Sequence, residues 1–557
     1  MELWPKTKRT IGPSIENGFY FDFDFGKTKI SESDLPTIEK KMHEIVKGWE
    51  SFTKHELSED KAKKEYPGNE YKHELIEEFS EGGKKKLSFY KSGNYWDLCL
   101  GGHIDHPAKN LKYFKLLSVA GAYWHGDEKN KMLTRIYGTC FPTQGELDDY
   151  LKTQEEAEKR DHRKVGASLE LFMFHETSPG MPYWLPNGVI LYNELISFWR
   201  EEHSKRDYHE IVSPILNKKE LYITSGHYDH YWHDMFVCKT DEKEEYGVKA
   251  MNCPNAHIVF GSKTRSYKDL PFRLSDTDTL HRYEKSGTLN GLLRVREFRQ
   301  DDAHIYVTED QIIDEYLRIF DIVKRFYSVF NLEYSFRLGT RNPDNYMGDI
   351  KTWDKAENTL KKILDTSRVK FTVLEGDGAF YGPKVDILMK DVLGRDWQMG
   401  TVQLDFQQPR RFNLEYVSED GSKKTPICIH RVIYGSLERF IGILIEHFAG
   451  NFPTWLTPVQ VKVLPITEKH LDYAQSVVEK LKQVNIRVEL NDRNETLQAK
   501  IRDAQLEKVS YMLIVGDREE KEKSVSVRAR SGKDYGSQKL TEFIQNIKKE
   551  INEKTIN

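Results

Sequence analysis

Between Leu293 and Val307 the sequence places Arg294, Arg296, Phe298, Gln300, Asp302 and His304 at every second position. Read as one strand, that period of two turns all six side chains to a single face. The face then carries cations, an aromatic ring, an amide, a carboxylate and an imidazole. Upstream, Thr279 to Glu284 likewise puts Arg282 and Glu284 on one face, and Lys285 to Gly291 has the composition of a loop joining antiparallel strands. Guanidinium forks match phosphate oxygens and a ring face stacks on a base, so the pattern suits a nucleoside triphosphate. A solvated edge strand has the same composition. No phosphate loop of the G-x-x-x-x-G-K-[ST] type is present, and the glycine-rich Glu375 to Lys384 runs into the strand-like Val385 to Met389 instead of opening a helix. A dinucleotide fold is therefore disfavoured, and any nucleotide must be held by arginines.

Tyr283-Glu284 and Arg294-Val295-Arg296-Glu297-Phe298 resemble motif 2 of the class II aminoacyl-tRNA synthetases, Gly435-Ser436-Leu437-Glu438-Arg439-Phe440 resembles motif 3, and Ile211-Val212-Ser213-Pro214 the end of motif 1. Within that class, four stretches are similar to the threonyl-tRNA synthetases: Met251 to Pro254, Gln300 to His304, Gly400 to Phe406 and Ile429 to Arg431. The similarity runs from about Thr10 to the C-terminal helix.

The resemblance implies an antiparallel catalytic sheet flanked by helices, a homodimer formed through motif 1, and one Zn2+ per subunit held by Cys253, His304 and His430. Those three are far apart in the chain and no spacing rule finds them; singly, Cys253 or His430 reads as a buried structural residue. Together they are one thiolate and two imidazoles, a donor set suited to zinc, and three protein ligands leave room for substrate. The resemblance further implies that ATP with Mg2+ activates L-threonine, which then passes to tRNA(Thr). Residue by residue, Arg282 falls at the α-phosphate, Arg294 and Arg439 at the outer phosphates, Phe298 on the adenine face and Glu284 at its edge. Gln398, Thr401 and Ser436 line the ATP site, and Met251, Gln300, Asp302, Tyr381, Lys384 and Gln403 the amino-acid side.

Zinc would answer a selection problem, because threonine and valine are nearly isosteric and an apolar pocket separates such pairs by only about a hundredfold. A site that binds the amine and hydroxyl, with Asp302 accepting from that hydroxyl, reaches on the order of 10⁴ to 10⁵. Serine keeps the hydroxyl and lacks only a methyl, so it leaks through. The family clears seryl-tRNA in an editing domain, which Ile11 to Tyr20 and Val119 to Trp124 resemble. Cys99 and His103 supply its C-x-x-x-H pair, while the chain starts downstream of the family's H-x-x-x-H pair, so weak editing is expected. Asn255-Ala256-His257 departs from the Gly-His usual after Cys-Pro, which makes His257 a candidate surrogate beside a ligand. In the C-terminal region Glu519 and Arg528 fall where the family reads anticodon bases.

The elements that must position these residues divide the chain into an editing-like α+β domain (1–142), a linker helix (143–165), a class II catalytic domain (166–455) and an α/β anticodon-binding domain (456–557), in line with about one domain per 150 residues. In the first block a strand around Gly18 to Asp24 precedes a helix bearing Leu35, Ile38, Met42, Ile45 and Trp49, with further strands at Leu116 to Ala122 and Met132 to Tyr137. Gln144 to Lys164 is dominated by charge and reads as a solvated connecting helix. After Pro458 strands and helices alternate regularly. Lys84-Lys85-Lys86 reads as a solvated loop.

With 84 basic and 88 acidic residues the net charge is −4, so nucleic acid must be met by local contacts and not by a general field. Five scattered cysteines without a C-x-x-C pair fit a reducing cytoplasm and read as core residues. No run approaches the roughly 18 apolar residues of a membrane helix. Two rival readings are a non-catalytic RNA-binding paralogue and a class II synthetase for another amino acid. The first predicts loss of the arginines or metal ligands, and all are present.

Overall fold

A computed structural model describes residues 1–15, 17–81 and 86–556. Lys84 and Lys85 of the lysine run and Glu16 of the N-terminal motif lie outside the described residues. The chain forms two compact units, Met1–Glu155 and Glu156–Asn557.

In the first unit, strands Lys8–Arg9, Gly18–Asp24, Met132–Phe141 and Tyr113–Tyr123 make an antiparallel sheet, with Ser14–Ile15 pairing Gly18–Asp24. Helix Leu35–Val46 covers it, packing Leu35, Ile38 and Met42 on Leu116 and Ile136. Trp49 falls beyond the helix end, where it faces Phe52 and Tyr95 instead. A separate three-stranded sheet, Thr53–Leu57, Leu87–Ser92 and Tyr95–Leu98, leads directly into Cys99.

The charged connecting segment is helical as Gln144–Arg160 but is not one element to Lys164. It stops at Asp161, whose carboxylate leaves the helix to accept the Arg163 N–H at 2.8 Å and cap a new helix, His162–Ser168. The boundary between the two units falls inside the longer helix.

The second unit is built on an eight-stranded sheet in the order Tyr208–Glu210, Phe272–Asp276, Asp302–Val307, Ile427–Val432, Asp396–Asp405, Lys384–Lys390, Glu333–Gly339, Phe371–Leu374. The inner pairings are antiparallel and a parallel strand closes each end. One face buries Ile305, Val307, Ile427, Ile429, Val402 and Leu404 in an apolar core with helices Pro186–Ser204, Ile312–Ser328 and Leu437–Phe448. Each fully buried Leu or Ile there contributes about 1.5–3 kcal/mol. The opposite face is polar and carries the site described below.

The stretch from Leu293 to Val307 is not one strand. Gly291–Leu293 is a 3-10 turn, Glu297–Arg299 pairs only with Thr279–His281, and Asp302–Val307 belongs to the large sheet. The break sits at Asp301, whose buried carboxylate accepts the backbone N–H groups of Ile433 and Gly435 and so ties the chain to the start of motif 3. Asp302 to Val307 is buried on both faces, so solvent does not set its alternation.

The C-terminal region is an α/β fold with strand order Val488–Leu490, Val461–Pro465, Tyr511–Val515, Ser524–Ala529, Asp534–Lys539. Arg487 joins it to the rest of its unit, donating to the Trp455 and Thr457 carbonyls and pairing with Glu194 of helix Pro186–Ser204 at 2.5 Å. Of the cysteines only Cys253 and Cys428 are buried; Cys99 and Cys140 are half-buried and Cys238 is exposed, which corrects the uniform core reading.

Candidate active site

Strand register brings together what sequence distance separates. Leu274 lies opposite His304, His304 opposite His430, His430 opposite Gln403, and Gln403 opposite Lys384. Residues opposed in register share a face, so His304, His430, Gln403 and Lys384 form one row across four strands. Two residues along, Asp276 faces Asp302 and Thr401 faces Asp386. Two residues the other way, Tyr306 and Asp405 both face Cys428.

Cys253 comes from outside the sheet, as the first residue of helix Cys253–Gly261 with Pro254 fixing the opening turn. Phe260 of that helix stacks on Tyr306 with ring centroids 4.0 Å apart, seating the helix on the polar face. The ligand atoms of Cys253, His304 and His430 all lie within 4.8 Å of one another, and all three residues are buried. His430 Nε2 is 2.9 Å from Asp405 Oδ2, and Asp405 Oδ1 accepts the Gln407 and Gln408 N–H groups. That carboxylate fixes the imidazole's tautomer and leaves Nδ1 for another partner.

The donor set fits a zinc ion. His304 Nδ1 is buried without a hydrogen-bond partner, which costs free energy unless something binds there. Burial keeps His304 neutral, as a metal ligand must be. Burial and the nearby Asp302 and Asp405 carboxylates push the Cys253 thiol well up, a preference that only an adjacent cation reverses. His257 is also buried, with Nδ1 2.9 Å from the Tyr306 hydroxyl and Nε2 unpartnered; with Asp405 and His430 it makes a second cluster of the same kind.

Around this set, Asp302 accepts from Asn252 Nδ2 at 3.1 Å and burial raises its pKa to about 6. Tyr381 donates to Gln403 at 2.5 Å and its ring lies 5.2 Å from that of His430. Lys384 pairs with Asp377 and the buried Asp386. Met251 packs with Tyr222 and Ala250, and Gln300 bridges to Ser436. The Thr401 hydroxyl is buried and unpartnered.

The arginines converge next to it. Arg282 donates to the Ala250 carbonyl, three residues before Cys253, and lies over the Phe298 ring at 5.1 Å. Phe298 itself packs with Leu280 and Val295 and is only 6% exposed. Arg294 is paired with Glu284 at 2.8 Å, so the carboxylate expected at the adenine edge holds a guanidinium here. Arg439 donates to the Leu293 carbonyl at 2.9 Å and to that of Gln398 at 3.4 Å. Burial lowers its pKa, and repulsion from Arg294 and Arg282 lowers it further. Three guanidiniums facing one carboxylate leave a local excess of positive charge, which suits a polyanion. Ser436 caps helix Leu437–Phe448 by accepting the Arg439 N–H and so aims that arginine.

Glu519 and Arg528 lie in the C-terminal α/β fold, and His103 lies in the first unit. Glu519 caps helix Asp517–Glu522 through the Gly516 N–H, and Arg528 lies on the next strand with a buried, unpartnered Nε. His103 is stacked on Phe52 at 4.2 Å and edge-on to Tyr90 at 4.4 Å, with its Nε2 buried and unpartnered.

Three family models match this chain: the class II tRNA synthetase core domain (G, H, P, S and T) over residues 236–448, the anticodon binding domain over 460–550, and the threonyl and alanyl tRNA synthetase second additional domain over 87–137. Threonine–tRNA ligase of Caldanaerobacter subterraneus is 52% identical over 556 residues, covering 100% of this chain and 85% of that one. The chain belongs to the threonine–tRNA ligase family. The family's enzyme from Clostridium tetani is 50% identical over 100% of this chain and 86% of its own. Among solved structures, the RNA binding domain of threonyl-tRNA synthetase from Cryptosporidium parvum superposes with a TM-score of 0.68 at 41% identity, covering 70% of this chain and 98% of that one. Prolyl-tRNA synthetase from the same organism, at 19% identity and a TM-score of 0.53 over 70% of this chain and 75% of that one, shares the fold.

Several residues of this threonine–tRNA ligase site were not found from sequence. Asp405 is one, although it lies two residues from Gln403 on the same strand and so had to share its face. His227 is another: its Nε2 is 3.9 Å from the Cys253 sulfur, and burial, then the His430 and Arg282 charges, push its pKa down to about 3. Arg337 binds Asp386 and Gln398, each at 2.9 Å. Nothing in their local sequence marks His227 or Arg337. No helix among the described residues is long and apolar enough to cross a membrane.

Proposed function

We propose that the chain joins L-threonine to tRNA(Thr) through a threonyl-adenylate, using ATP with Mg2+, and selects threonine at a zinc held by Cys253, His304 and His430. The observation that carries this reading is the segment Ala250–Cys253. Its first carbonyl takes Arg282, its Asn252 takes Asp302, and its Cys253 completes the Cys/His/His set, so one stretch of backbone links the arginine cluster to the candidate metal centre.

Activation needs no enzyme nucleophile. A threonine carboxylate oxygen attacks the α-phosphorus and the bond to pyrophosphate breaks; the terminal hydroxyl of the tRNA then attacks the acyl carbon and AMP leaves. The protein's part is positioning and charge stabilisation. Arg282 serves the α-phosphate, Arg294 and Arg439 the outer phosphates, and Phe298 the adenine ring. Tyr381, Gln403 and Lys384 define the amino-acid side. A zinc held by Cys253, His304 and His430 would supply Lewis-acid binding to the amine and hydroxyl of threonine. Asp302, pinned by Asn252, accepts from that hydroxyl, so valine leaves a buried carboxylate without its donor and is rejected far more strongly than shape allows. Gln398, Thr401 and Ser436 complete the adenylate pocket, with Met251 and Gln300 at its edge. The domain division 1–142, 143–165, 166–455 and 456–557, a homodimer, and base reading by Glu519 and Arg528 belong to the same reading.

Removal of serine is slow in these 557 residues. The support is that His103 sits between aromatic rings, and among the described residues no cluster of three metal-binding or acid–base side chains includes it or Cys99. Rapid hydrolysis of preformed Ser-tRNA(Thr) by the purified chain would refute that part. The main reading is tested by amino-acid-dependent ATP–pyrophosphate exchange. Threonine alone should drive strong exchange, with serine weaker and valine near background. Exchange with proline or another amino acid as strong as that with threonine, or none with any, overturns it.

A further inference from the structure

We propose that His162 is a positioning residue of the activation site, holding the turn at Leu292–Leu293 in the place from which Arg294 and Arg439 reach one triphosphate. The inference rests on the adenylate reading above. His162 is buried in the helix His162–Ser168 and touches no substrate position, yet both of its ring nitrogens are committed. Its Nδ1 is 2.8 Å from Glu446 Oε1, and its Nε2 lies 3.0 Å from the Leu292 backbone nitrogen. A backbone N–H can only donate, so Nε2 must be the acceptor and the proton must sit on Nδ1. Glu446 secures that tautomer; it also accepts the His162 backbone N–H and pairs with Arg395. Asp161, His162 and Glu446 lie close enough together to suggest a metal centre, but an imidazole with both nitrogens engaged has none to offer.

The turn it grips is closed on itself and pinned from two sides. Asn290 and Arg294 form an antiparallel bridge, with the Asn290 N–H donating to the Arg294 carbonyl at 3.1 Å. At the tip, the Leu292 N–H goes to His162, while the carbonyl of Leu293 accepts from Arg439. Side chains from two helices therefore hold the Gly291–Leu292 and Leu293–Arg294 peptide groups, one on each side of the Leu292–Leu293 peptide. Gly291 makes the approach possible. Its φ is +49°, and a Cβ there would stand 2.1 Å from His162 Nε2. If the Leu292 N–H loses its acceptor, the turn is free to move, and with it both the partner of Arg439 and the start of Arg294.

The test compares His162→Phe, which keeps a ring without an acceptor, with His162→Gln, whose amide oxygen can restore one, and adds Gly291→Ala, which crowds the same contact from the other side. Binding of a non-hydrolysable ATP analogue with Mg2+ is measured by calorimetry, alongside threonine-dependent exchange. We expect H162F and G291A to lose about a hundredfold in kcat/KM for ATP, to bind the analogue more weakly and to leave KM for threonine in place, with H162Q recovering most of the loss. Wild-type ATP kinetics and analogue affinity in H162F and G291A would overturn the inference. So would parallel loss for ATP and threonine without rescue by glutamine, which marks general loosening. Failure of the wild-type chain to exchange at all would refute the adenylate reading instead, and analogue affinity would still judge His162.

Discussion

Two regions of this molecule carry a cysteine and a histidine of interest, and their surroundings differ. Cys253 meets His304 and His430 where a helix start crosses two neighbouring strands; His430 is held by Asp405 and Asp405 by two backbone N–H groups, and the neighbouring Asp302 is held by Asn252. Cys99 and His103 follow the edge strand Tyr95–Leu98 in irregular chain, and the imidazole's neighbours are the rings of Phe52 and Tyr90. Residue types are alike in the two places. What differs is the supporting shell, and on the reading proposed above that shell makes the first pair part of a ligand set.

The sharpest way to break that comparison is to remove the thiols one at a time. Cys253→Ala should cost on the order of a thousandfold in threonine-dependent exchange and leave the protein without bound metal by elemental analysis; retained metal would show that the set is not the ligand sphere. Asp405→Asn keeps all three ligands and removes only the carboxylate behind His430. It should weaken metal affinity by about 10- to 100-fold in a chelator competition, and an unaltered affinity would mean the supporting shell does not matter. In stability, Phe260→Ala takes away the ring that seats the Cys253 helix and should cost about 3–5 kcal/mol in denaturant unfolding. The half-buried Phe52, which stacks on His103, should cost about 1 kcal/mol when changed to alanine. Equal losses would erase the contrast in packing. Smallest of all, Cys99→Ala should leave metal content and exchange at the wild-type level.

The residues proposed for the site came from two sources, the arginines from residue type and resemblance, the metal set from resemblance alone. Arg282, Arg294, Arg439, Cys253, His304 and His430 all appear in recognisable local contexts, and the alternation after Pro458 announced an α/β fold. Register was not legible. Nothing in the spacing of His304, His430, Gln403 and Lys384 says that they stand in one row, because strand pairing is set by long-range packing of the apolar face beneath them. The run from Leu293 to Val307 misled for a related reason. Its period of two spans a break at Asp301, where a buried carboxylate gathers backbone donors from Ile433 and Gly435, more than a hundred residues away. The connecting helix, which charge patterning extends through Lys164, ends at Asp161, where a local cap to the Arg163 N–H opens a new helix. His162 escaped notice entirely, since a single histidine in a charged helix carries no signal until its two partners are seen.

The account stands most directly on how threonine is told from valine. Metal content and the ratio of exchange rates with the two amino acids should be measured on the same preparation before chelation, after chelation and after zinc is restored. We predict about one zinc per chain, a threonine-to-valine ratio on the order of 10⁴ or more, its collapse when the ion is stripped, and its return with zinc. An active preparation free of zinc, or a ratio indifferent to stripping, would contradict the account.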